Sequence, residues 1–167
     1  MDLEKFLTQQ KSSLLKQWFR SILDTYPPET ARMLKREKNQ FDNPVGSTIY
    51  QGMEGVYQEL AKGFERESVS PFLDKIVRIR AIQDFSPSSA IAFVFELKNL
   101  VKVQSEEMED PQEKLSTDEL ESFDARIDQL AMLAFDIYVQ CREQVYELRV
   151  KEVKNRTHRL LQRADLI

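Results

Sequence analysis

The chain has 167 residues, 41% of them hydrophobic, with 24 Lys+Arg against 28 Asp+Glu. That is enough apolar material for one ordinary domain with its own core, and a net charge of -4 speaks against nucleic acid as the main ligand, because phosphate binding needs a basic surface. A single cysteine, Cys141, excludes an internal disulfide framework and a cysteine-built zinc site. No window nears the length of apolar run that a bilayer needs, and Asp2, Glu4, Lys5 and Lys11 interrupt the start, so neither a membrane span nor a signal peptide is expected and the expected location is the cytoplasm.

Leu3, Phe6, Leu7, Leu14, Leu15, Trp18, Phe19, Ile22 and Leu23 recur at helical spacing until Tyr26-Pro27-Pro28. This predicts a helix near 2–25 and a short second one from Glu29 to Lys38, with Ala31 and Leu34 inward. After the loop Asn39-Gln40-Phe41-Asp42-Asn43, the pair Asn43-Pro44 caps a third helix reaching about Glu65, with Val45, Ile49, Met53, Val56, Leu60 and Phe64 toward the core. Gly46, Gly52, Gly55 and Gly63 all fall in this segment, although glycine costs roughly 1 kcal/mol against alanine in a helix. Close approach of a neighbouring helix is the expected compensation.

Ser70-Pro71 and Ser86-Pro87 each place a hydroxyl before a proline, predicting helices over 71–84 and 87–103. The second, with Ala90-Ile91-Ala92-Phe93-Val94-Phe95-Glu96-Leu97, is apolar nearly all round, the pattern of a central helix enclosed by others. Gln104 to Leu115 holds Glu106, Glu107, Glu109, Asp110 and Pro111 and reads as a mobile acidic loop. From Ser116, where Glu119 completes a capping box, to about Arg163 runs one amphipathic stretch without Gly or Pro. Leu120, Phe123, Ile127, Leu130, Ala134, Ile137, Cys141, Val145 and Leu148 mark its apolar stripe. At 1.5 Å per residue such a helix is roughly 70 Å long and must protrude from a domain of this size. No strand-period alternation or hairpin dipeptide appears, so the fold class is all-α, a helical bundle with a long C-terminal helix.

The inventory for catalysis is missing. His158 is the only histidine and lies far along the same helix from Cys141, which leaves no nucleophile–base pair, and the glycines match no phosphate loop. No catalytic residue, metal ligand set or cofactor is expected. Arg78, Arg80 and Asp84, just before Phe85, line a polar pocket on one reading; on the preferred reading they form a solvated face with ordinary ion pairs, although Arg80 stands in a mostly apolar segment. Cys141 on the apolar stripe reads as a small buried hydrophobe rather than a redox sensor, and Trp18 and Tyr26 as core rather than a gate. Ile137, Cys141, Val145 and Leu148 form the expected dimer or partner seam, since a protruding apolar stripe needs a cover. The basic end, with Arg149, Lys151, Lys154, Arg156, Arg159 and Arg163, reads first as a solvated helix end complementing the helix dipole; an acidic partner surface or nucleic acid is the second reading.

Three segments together resemble the RsbT co-antagonist protein RsbRD N-terminal domain family. They are Leu15-Lys16-Gln17-Trp18 with Tyr26-Pro27-Pro28-Glu29-Thr30-Ala31 and Phe41-Asp42-Asn43-Pro44-Val45-Gly46; Val77 to Ser88; and Phe135-Asp136-Ile137-Tyr138 with Cys141-Arg142-Glu143 and Tyr146-Glu147-Leu148-Arg149. The resemblance implies a globin-like helical sensory domain without haem, dimeric, in bacterial stress signalling of the stressosome type, whose last helix leads into a STAS domain. The sequence stops at Ile167, ahead of any such domain, so the expectation is either a free-standing sensor or adaptor acting on an unidentified protein partner or a piece of a longer protein. A haem globin sensor, the competing class, needs a proximal histidine near 71–84, where none stands; a small-molecule pocket within the bundle leaves no local motif and stays open.

Overall fold

In the computed structural model, which describes residues 1–36, 43–83, 85–164 and 166, helix starts follow the capping residues closely. Asp2 accepts from Lys5 N (2.9 Å) at the head of α1 (Leu3–Leu23), and Asn43 accepts from Gly46 N (2.9 Å) before Pro44 opens α3 (Pro44–Lys62). Between them lies the short α2 (Pro28–Arg36), whose final carbonyls include Leu34 O, taken by Asn43 Nδ2 at 2.7 Å. Ser86 and Pro87 open α5 (Pro87–Glu106), and Ser116 opens α6 (Thr117–Arg163). The sequence-predicted end of the second helix and the loop residues 39–42 lie outside the described residues.

Three expectations are corrected. The fourth helix, α4, runs Arg66–Ile82: it begins a turn before the Ser70-Pro71 signal, from Glu65, with no side-chain cap, and Pro71 sits inside it. A proline there forfeits the bond to the Glu67 carbonyl, and the helix persists because Val69, Leu73, Ile76 and Val77 are buried on one face. Second, α5 extends to Glu106, and the connection after it is exposed but pinned rather than loose: Leu115 is buried, its N–H donates to the buried Ser105 Oγ (2.8 Å), and Pro111–Glu113 form a single 3-10 turn. Third, α5 is not enclosed all round. Ala90, Phe93, Val94 and Leu97 face the core, while Phe95 is 43% exposed.

The architecture is a closed ring of five helices in the spatial order α1, α3, α4, α6, α5, with α2 laid outside against α1 and α3. All six α-helices and no strand are seen among the described residues, so the all-α reading holds. Two aromatic side chains with polar tips join neighbouring helices of the ring: Trp18 Nε1 donates to Phe93 O (2.6 Å), tying α1 to α5, and the Tyr57 hydroxyl donates to Leu7 O (2.8 Å), tying α3 to α1. Trp18 belongs to the core, as its spacing implied. Glu119 does not complete a capping box. Its carboxylate instead accepts from Leu3 N (3.1 Å), one of the orphan donors of α1, so the first and last helices share a start.

The glycines of α3 explain how tightly it meets α4. A Cβ on Gly52 would lie 2.9 Å from the Phe72 carbonyl oxygen, and one on Gly55 2.1 Å from the Phe72 ring. Gly63 is different, since it follows the last helical residue as the C-cap with φ 150°, a conformation other residues rarely adopt. Gly52→Ala and Gly55→Ala should therefore each destabilise the fold by about 1–3 kcal/mol in urea denaturation, despite a helix-propensity gain of about 1 kcal/mol. A stability increase at both positions would contradict this packing.

Candidate functional site

On α4 the residues Val69, Leu73, Ile76, Val77, Arg80 and Ala81 fall on one helical face, which places a cation at a core position. Arg80 is 0% exposed. Its guanidinium donates to three oxygens: Nε to Ala90 O (2.9 Å), Nη2 to Ser89 O (2.8 Å) and Nη1 to Thr25 Oγ1 (3.1 Å). Its remaining surface is covered by rings, with the guanidinium carbon 4.1 Å from the Phe85 centroid and 5.6 Å from that of Tyr26. Those two rings meet edge to face at 5.4 Å. Burial pushes the Arg80 guanidinium below its ordinary pKa, the adjacent Tyr26 partly offsetting this, and burial likewise raises the Tyr26 phenol, whose hydroxyl donates to Gln83 Oε1 (2.7 Å).

This corner joins the end of α1, the end of α4 and the first turn of α5, and Tyr138 of α6 donates its hydroxyl to Phe85 O beside it. The expected trio does not assemble as one pocket. Arg78 and Arg80 leave α4 about 200° apart. Arg78 fits the solvated reading, pairing with Asp74 (2.8 Å) and bonding Gln144 Oε1 (3.1 Å), and that carboxylate raises its pKa. Arg80 overturns it. Asp84 lies outside the described residues.

The expected partner seam on α6 is divided by the structure. Ile137 and Cys141 are buried in the chain's own core, Cys141 at 2% exposure with Sγ 4.0 Å from Arg78 O, because α4 crosses α6 there. They are wall residues and are corrected as such. Val145 is half-buried at the edge, and only Leu148, 68% exposed, stands clear of the ring. Two arginines fix this helix against its neighbours by taking C-terminal carbonyls: Arg126 donates to Leu60 O (2.6 Å) in the last turn of α3, and Arg142 to Ala81 O (3.2 Å) in the last turn of α4.

Residues 12–153 match the family described as the RsbT co-antagonist protein rsbRD N-terminal domain. The chain belongs to this family. An uncharacterized protein of Archaeoglobus fulgidus is 28% identical over 111 residues, covering 65% of this chain and 68% of that one. No solved structure matches the chain.

In this RsbRD N-terminal domain protein the matched segment ends partway along the exposed part of α6. Every residue from Tyr146 to Arg163 is exposed except the half-buried Leu161. The surface hollows of about 310 and 390 Å³ along this part are each lined by one helix's own side chains, such as Arg156, Arg159 and Arg163. They are grooves on a rod. The buried Arg80, in contrast, was marked in the sequence only by its register with Leu73, Ile76 and Val77, since arginine itself signals surface. An ammonium cannot span three oxygens as the guanidinium fork does, so Arg80→Lys should lower unfolding stability by about 2–4 kcal/mol while Arg78→Lys changes it by under about 1 kcal/mol. Equal effects in urea denaturation would remove Arg80 from its structural role.

Proposed function

We propose that this chain is a non-enzymatic regulatory domain of bacterial cytoplasmic signalling, of the stressosome type its family name indicates, acting through protein–protein contacts as a homodimer. The observation that carries this reading is the outer part of α6: from Tyr146 to Arg163, exposed save for the half-buried Leu161, roughly 27 Å of helix leaves the ring with large apolar side chains uncovered. A catalytic reading finds no support. Cys141 and His158 lie on one straight helix roughly 25 Å apart, and among the described residues no group of three His, Cys, Asp or Glu is placed to hold a metal ion.

The partner chemistry is protein. The chain's net charge of -4 disfavours a nucleic-acid role, and no helix among the described residues is long and apolar enough to cross a membrane. A haem in the ring would have no histidine to hold it, because the single histidine, His158, is exposed on the outer part of α6. In sedimentation equilibrium the protein should show twice its 19.6 kDa chain mass at micromolar concentration, and its absorbance should lack a Soret band. A monomer at high micromolar concentration would refute the homodimer, and a stoichiometric Soret band the haem-free sensor.

A further inference from the structure

One face of α6 changes its chemistry where the ring ends. Ile127, Ala131, Ala134, Tyr138, Cys141 and Val145 follow one another in steps of three or four; the first five are buried against the ring, and Val145 is half-buried at its edge. Carried on beyond Val145, the same register reads Arg149, Glu152, Arg156, Arg159 and Arg163, all exposed. Every arginine between Tyr146 and Arg163 lies on this face, and both lysines of that stretch, Lys151 and Lys154, lie off it, roughly 125° and 175° round the helix. Arg156 pairs loosely with Glu152 (3.5 Å), both side chains being over 70% exposed; among the described residues no carboxylate pairs with Arg149, Arg159 or Arg163.

We propose that this guanidinium face docks a carboxylate-rich face of a different protein. The proposal rests on the protein-contact reading above and names the partner's chemistry. It uses a face roughly 90° round the helix from the exposed apolar side chains Tyr146, Val150, Val153 and Leu160, so it and the homodimer can fail separately. Where the chain's own apolar helices cover this face its residues are apolar; where arginines take over the same register, the matching cover carries carboxylates. The choice of arginine over lysine points the same way. A planar guanidinium fork takes a carboxylate through two parallel hydrogen bonds, and protein interfaces are enriched in arginine and depleted of lysine.

Charge distribution decides the class of partner. Residues 146–163 hold six basic side chains against two acidic, whereas the rest of the chain holds 18 basic against 26 acidic. A nucleic-acid duplex or a lipid surface laid along the rod would also meet the negatively charged ring, while a compact acidic protein face has to match only the roughly 21 Å from Arg149 to Arg163. Arg156, Arg159 and Arg163 lie beyond residues 12–153, so this face is largely a feature of this chain outside the segment it shares with its family.

Fluorescence anisotropy on the whole chain tests this, the probe being a labelled helical peptide of about 18 residues with glutamates along one face at three- and four-residue spacing. The parent should bind it, and should bind an isomer with the same glutamates spread round the helix at least about five-fold more weakly, because only the first presents a row of carboxylates to the row of guanidinium groups. Arg156→Glu combined with Arg163→Glu should weaken binding at least about 10-fold, and Lys151→Glu combined with Lys154→Glu, the same change of net charge on other faces, less than about 3-fold. Equal losses in the two pairs, or equal affinity for the two peptides, would reduce the effect to net charge and overturn the proposal, as would no binding by the parent at millimolar concentration. Tighter binding of a short DNA duplex or of phosphatidylglycerol vesicles than of the peptide would overturn the partner class. The arginine variant should sediment as the parent does with unchanged helical circular dichroism; its conversion to a smaller species would make a second copy the occupant and overturn the proposal. A parent that is itself monomeric, yet discriminates the two peptides, overturns the homodimer and supports this face.

Discussion

A guanidinium shut away from water closes this ring. Arg80 donates at once to the end of α1, through Thr25, and to the first turn of α5, through Ser89 and Ala90, from its own place in the last turn of α4. Desolvating such a group costs several kcal/mol, and it is tolerated only where hydrogen bonds and ring faces occupy it, which here are supplied by the end of α1, the start of α5 and the aromatic pair Tyr26 and Phe85. The same turn then reaches α6 through Tyr138 and Phe85 O. Four of the five ring helices therefore meet at one polar point in an otherwise apolar interior, and their relative positions are set there more narrowly than leucine and valine contacts alone would set them.

The parts legible in the sequence are those governed by local chemistry. Asn43-Pro44, Ser86-Pro87 and Ser116 carry their own capping oxygens, so these starts stand where the residues imply. Glu65 carries no cap bond, and α4 begins at Arg66 because burial of Val69 and Leu73 outweighs the proline at 71. Local signals are blind to that kind of tertiary compensation. Phe95 shows the same limit from the other side: an apolar run tells that a helix is buried somewhere, but which residues face out depends on neighbours that arrive from distant parts of the chain.

The site was legible in residue names more than in arrangement. Arg78, Arg80 and Cys141 were all marked, yet only register against the core separates the solvated Arg78 from the enclosed Arg80, and only the crossing of α4 over α6 turns Ile137 and Cys141 into wall residues. Family membership, established over residues 12–153, adds ancestry to this picture and leaves the geometry to speak for what each arginine does. On α6 the core stripe from Phe123 to Cys141 is buried, while Tyr146, Val150, Val153 and Leu160 farther along the same helix are exposed.

The two arginine grips on α6 have a mechanical meaning. Arg126 holds the end of α3 and Arg142 the end of α4, so the helix is clamped at two points roughly 24 Å apart and, from Tyr146, runs clear of the ring for roughly 27 Å to Arg163. It is a lever. With Arg126 as fulcrum, a 1 Å displacement of the α4 end becomes about 2 Å at Arg163, and that end of α4 is the place where Arg80 sits.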